Sequence, residues 1–154
     1  MKSQSQRGSD FSRATFAVGI SILFSTRAVG DPSAHDLILG SWDPGGDAFY
    51  NLPINVESDL VVLAECPAMP YLIIRDRAGH GPGHIAGAST EWREIAIEIR
   101  PKTQKQAKCS QWRVLDFSIP LDMTRHADIA LFTSRSAFDN DQDYIAWGVW
   151  GKDD

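Results

Sequence analysis

The chain predicts an all-β domain of short antiparallel strands, with little or no helix outside its N-terminal segment. Three observations carry that prediction. Apolar and polar residues alternate, as in Glu94–Arg100, where Ile95, Ile97 and Ile99 share one face and Glu94, Glu98 and Arg100 the other. Turn chemistry recurs between such runs, in Asp43-Pro44-Gly45-Gly46, Gly79 to Gly87 and Asp139 to Asp143. No segment after residue 30 reads as a convincing amphipathic helix. Short strands separated by turns fit an antiparallel sandwich or barrel.

The first thirty residues read differently. Lys2, Arg7 and Arg13 precede an uncharged run from Ala14 to Thr26, and the small residues Ala28 and Gly30 follow two apart. That is the order of a secretory signal peptide: basic region, apolar region, small-residue cleavage site. The run is too short and mixed to span a bilayer, which takes about 20 apolar residues. Cleavage after Gly30 leaves residues 31–154 as one exported domain, secreted or periplasmic, with no membrane span.

Along that domain, Leu60–Glu65 is an apolar strand with adjacent valines, and Pro67 and Pro70 separate it from a second at Tyr71–Arg75. At residues 94–100 a helix would set Glu94 and Glu98 four apart, where like charges repel, so the three alternating isoleucines favour strand. Trp112–Ile119, Ile129–Thr133 and Tyr144–Trp150 complete the set. Residues 31–59 form an entry segment and first strand.

The domain after residue 30 carries 11 basic and 19 acidic residues, a net charge of −8. An acidic surface repels phosphate backbones, so nucleic acid is not expected as a partner. The one basic run, Arg100 to Lys108, lies in a Gln-rich stretch and reads as a solvated loop. Cys66 and Cys109 are the only cysteines, and in an oxidising compartment they form one disulfide closing a 44-residue loop.

The end of the chain, Asp128-Ile-Ala-Leu-Phe-Thr-Ser, a polar loop and then Asp143-Tyr-Ile-Ala-Trp-Gly148, resembles the last two strands of lamin-tail-like immunoglobulin sandwiches. The resemblance covers about a fifth of the domain. It implies an immunoglobulin-like antiparallel β-sandwich, a small extracellular module used for binding, and brings no catalytic residues.

Candidate sites follow from residue chemistry. His80 and His84 flank a Gly-Pro-Gly turn and are candidate ligands for zinc or copper, with Asp76, His35 or His126 to complete the shell. The rival is a hairpin tip whose glycines supply positive φ. Asp139, Asp141 and Asp143 alternate oxygen ligands in a way that suits Ca2+, although Tyr144 and Trp150 stand where an EF-hand needs glycine and an acid. Trp42 beside its turn, and Trp150 with Tyr144 on the same strand parity, are candidate ring surfaces for a protein or carbohydrate ligand. No nucleophile elbow and no His-Glu-x-x-His helix occur, so no catalytic residue is assigned and no cofactor beyond Ca2+ or Zn2+ is expected.

The reading that results is an exported binding module. Its alternatives are a metal-binding protein or metal-dependent enzyme centred on His80 and His84, and an inhibitor-like or structural protein that docks a partner by a sheet edge. Intact-mass measurement of protein recovered from expressing cells is expected to match Asp31 to Asp154 less two hydrogens. A full-length mass with free thiols would sink the exported reading.

Overall fold

The alternation becomes a single sheet rolled into a tube. The computed structural model describes residues 32–45, 51–79, 81, 84–141 and 146–153. The leader-like segment 1–30 lies outside them. Eight strands follow in chain order: β1 (Gly40–Pro44), β2 (Ile54–Val56), β3 (Leu60–Leu63), β4 (Met69–Gly79), β5 (Trp92–Ile99), β6 (Val114–Pro120), β7 (His126–Phe132) and β8 (Ala146–Lys152). Each pairs antiparallel with the next, and β8 returns to β1 through Trp42↔Lys152, Asp43↔Gly151 and Pro44↔Trp150.

The all-β expectation holds, but its two-sheet form is corrected: the ladder closes on itself as a barrel. The physical reason lies in the inward residues. A sandwich needs two facing sheets, whereas here alternate residues of all eight strands meet one interior. Trp42, Ile54, Leu63, Met69, Ile95, Ile97, Leu115, Phe117, Ile119, Ile129 and Trp150 are fully buried there. Closure also pairs the edges of β1 and β8 that an open sheet would expose.

Two indoles join the seam to the rest. Trp42 Nε1 donates to Ile38 O at 2.8 Å and Trp150 Nε1 to Leu52 O at 2.9 Å. The ring of Trp42 sits 5.8 Å from that of Phe117. The single first strand expected within residues 31–59 is two: β1, which runs into the turn at Pro44, and β2, only three residues long.

Three short helices cap the barrel. Ser33 caps α1 (Ala34–Ile38), which sends Ala34, Leu37 and Ile38 into the interior cluster and closes one end. His35 fastens it through contacts to Ser58 O at 2.6 Å and Tyr71 Oη at 3.1 Å. At the opposite end, α2 (Gln104–Cys109) replaces the loop expected in the basic run. Thr103 and Gln106 form its capping box. The Cys66–Cys109 disulfide bonds it to the β3–β4 turn, with Cα atoms 5.7 Å apart. α3 (Arg135–Asp139) lays Phe138 on Phe132 at 5.3 Å, covering a second apolar cluster on the outside of the barrel with Ala96 and Val114. Among the described residues no helix is long and apolar enough to cross a membrane.

β4 outruns its neighbour. Only Pro70 and Met69 pair with β3, so from Leu72 onward β4 has a strand partner on the β5 side alone. A bulge between Ile73 and Arg75 and the charges of Arg75, Asp76 and Arg77 disfavour extension of the sheet along that edge.

The double variant Cys66→Ser/Cys109→Ser is expected to lose about 2–4 kcal/mol of unfolding free energy in urea, the loop-entropy contribution of a closed ring of this size. An unchanged midpoint would mean that Gln106 and the caps alone hold α2.

Candidate functional site

With the interior filled, chemistry is left to the outer wall. The ladders of β4 to β7 set two outward rows side by side: Arg77, Glu94, Ser118 and Asp128, and next to it Arg75, Ala96, Asp116 and Ala130. Three carboxylates and two guanidiniums therefore share one wall, roofed at one side by Phe138 of α3 and at the other by residues 84–91.

The charges are unequally matched. Glu94 Oε1 lies 2.6 Å from Arg75 Nη1 and Glu94 Oε2 lies 2.6 Å from Arg77 Nε. Burial opposes its charge, but the two guanidiniums prevail and hold its carboxyl below the usual range. The Arg75 guanidinium also sits 4.1 Å over the Phe138 ring, which fixes it in place. Asp116 Oδ2 lies 4.0 Å from the same Arg75 Nη1 that Glu94 already holds, and its Oδ1 has no hydrogen-bond partner. Burial, reinforced by the negative charge of Glu94, pushes its carboxyl up to about 7.

Asp128 is the most enclosed ion of the wall, 5 % exposed, and neither carboxylate oxygen accepts a hydrogen bond. The imidazole of His84 approaches it, with Nδ1 3.4 Å from Oδ1. That distance supports a charge contact but not a well-formed hydrogen bond. Burial raises the Asp128 carboxyl, and His84 offsets part of the rise.

The segment carrying His84 is seated on the barrel end. Ser89 N donates to both oxygens of Asp122 at 3.0 Å, and Trp92 Nε1 donates to Ser89 O at 2.7 Å. Gly81 lies flat against that indole: a Cβ there would stand 1.8 Å from a ring carbon, so only glycine fits. Between them lies a depression of ≈ 350 Å³ lined by Gly81, Ile85, Ala88, Ser89, Thr90 and Trp92, among others.

The expected site residues fall in different places. Trp42 and Trp150 are corrected outright: both are 0 % exposed and fill the interior, so neither offers a ring to a ligand. Their bulk is what eight short strands need at the centre. Tyr144, His80 and Asp143 lie outside the described residues. His84 does reach a polar site, facing Asp128. Of the suggested companions, Asp76 is engaged by Arg93 and His35 by Ser58 and Tyr71. Asp139 accepts from Arg135 Nε at 2.8 Å, and exposed Asp141 takes a left-handed φ of 51°. Among the described residues no three His, Cys, Asp or Glu side chains come together as a metal site.

Sequence reasoning missed Asp116 and Asp128. The signal was available: each is an acid at mid-strand whose chain neighbours, Leu115 and Phe117 or Ala127 and Ile129, are apolar.

Asp116 predicts a pH dependence. The native state keeps its proton to about pH 7, whereas the unfolded chain loses it near the ordinary aspartate value of 3.8. Stability therefore declines as pH rises between those values and is flat above them. Asp116→Asn is expected to flatten that decline and to be more stable at pH 8 by on the order of 2–4 kcal/mol. Equal slopes for both proteins in urea titrations across pH 4–8 would show that Asp116 is ionised in the native wall.

Comparison with protein-family models, with curated proteins and with solved structures finds no match to this chain.

Proposed function

We propose that this chain is an exported binding module that contacts its ligand with the outer wall of β4 to β7 rather than with the barrel interior. The observation that carries the reading is Asp128, a carboxylate enclosed within the wall whose oxygens accept no hydrogen bond. A buried ion left in that state costs free energy unless something else donates to it. The interior supports the same choice, since indole and aliphatic side chains occupy it. Ligand groups suited to the wall are hydrogen-bond donors: the hydroxyls of a carbohydrate, or the ammonium and guanidinium groups of a protein partner.

Amide NMR of the labelled protein, titrated with a soluble oligosaccharide mixture and separately with a basic peptide, is the test. Shifts are expected at Ser89, Ser118 and Asp128, and Asp128→Asn is expected to weaken binding about tenfold or more, the value of a hydrogen bond to a charged group. Shifts confined to another face, or an Asp128→Asn protein that binds as well as wild type, would refute the reading.

One observation favours a second reading. An imidazole backed by a buried carboxylate is the arrangement that orients metal-ligating histidines. Calorimetric titration with zinc or copper separates the two: stoichiometric uptake by the wild type, lost in His84→Ala, would favour the metal protein.

A further inference from the structure

The opposite end of the barrel carries a cationic surface that the wall of β4 to β7 does not explain. Between Ile99 and Leu115 the chain places five of the 11 basic residues found after residue 30, and no acid. Elsewhere arginines are matched to carboxylates: Arg75 and Arg77 to Glu94, Arg93 to Asp76, Arg135 to Asp139. Lys102, Lys105 and Lys108 are exposed, and no carboxylate lies within ion-pair distance of them among the described residues.

The helix bearing two of these lysines, Lys105 and Lys108, is built without any packing reason. α2 buries no side chain, yet it is fixed at several points. Gln106 Nε2 donates to Ala68 O at 2.7 Å, Arg113 Nη2 donates to Ala107 O at 2.7 Å, and Cys109 is bonded to Cys66. A polar segment of six residues would not hold a helix alone. The tethers therefore hold a lysine face in one orientation.

Exposed apolar side chains lie on β4, the strand whose Pro70 O accepts from Arg100 N at the start of this segment. Leu72 and Ile73 are 54 % and 39 % exposed, and Leu72 lies opposite Glu98, whose carboxylate Arg100 binds at 2.7 Å. Two acids lie nearby: Glu98, held by Arg100 and Arg135, and exposed Glu65 beside Cys66. Arg100 and the three lysines exceed them.

We propose that this face docks the protein on an anionic phospholipid surface, with Lys102, Lys105, Lys108 and Arg100 over the headgroups and Leu72 at the acyl boundary. The charge is complementary in only one orientation. The rest of the domain is acidic and is repelled, so the cationic end leads. Exposed aliphatic side chains on the strand adjoining Arg100 favour a bilayer over an anionic polysaccharide, which offers no apolar layer to receive them.

The test is co-sedimentation of the full chain with vesicles of phosphatidylcholine, with and without 30 mol % phosphatidylserine, at 50 and 500 mM salt. Binding is expected only with phosphatidylserine and only at low salt. The triple variant Lys102→Ala/Lys105→Ala/Lys108→Ala is expected to bind about 100-fold more weakly, each lysine contributing about fivefold near such a surface. Its melting temperature should be unchanged, because among the described residues those side chains are exposed and make no ion pair or side-chain hydrogen bond. Triple Lys→Arg should bind as wild type, and Leu72→Ser should weaken binding a few-fold. Equal binding by the triple alanine variant, equal binding to both vesicle types, or binding of heparin without phosphatidylserine vesicles would each overturn the proposal.

Discussion

Everything in this molecule depends on the ladder between β8 and β1. It is three residue pairs long, yet it turns a linear run of hairpins into a tube and defines an inside. Trp150 and Trp42 lie on the two strands that it joins, and each sends its indole N–H to a backbone carbonyl. Those bonds keep two large rings from burying unsatisfied donors. With the seam intact, helix α1 has an opening to plug; without it, the apolar face of β1 would have nothing to pack on.

A filled interior displaces polar chemistry to the wall, where strand pairing decides which charges meet. Glu94 lies in register with Arg77 and one row from Arg75, and it stays ionised despite burial. Asp116 and Asp128 are buried with too few donors, and burial raises both carboxyls. The difference between these three acids is one of placement on the pleat, not of residue type.

Much of the fold was legible because period-two patterning is strong wherever one face is buried. Residues 94–99 and 114–119 show it, and both lie in long central strands. Three features escaped for physical reasons. Whether a meander closes depends on how neighbouring strands coil, which leaves little trace in any one strand. The two strands β1 and β2 were read as one, because the three residues of β2 carry too few alternations to register by themselves. Helix α2 depends on a distant tether at Cys66, which local propensity does not encode. The site was harder still. Exposed tryptophans were expected beside turns, but tryptophan is also the largest apolar filler, and the barrel uses Trp42 and Trp150 in that way.

Neighbour-to-neighbour pairing also has a kinetic meaning. From β2 to β8 every ladder joins strands adjacent in the chain, so each can zip from its own turn. Closure alone must wait for distant segments to meet, as the bond from Trp150 to Leu52 does across 98 residues. Contacts of long sequence separation form slowly because chain entropy is lost before they stabilise anything. The meander around β4 to β7 would then order first and the β1–β8 seam last. During that interval the strands on either side of the seam would have unpaired edges, open to pairing with another chain.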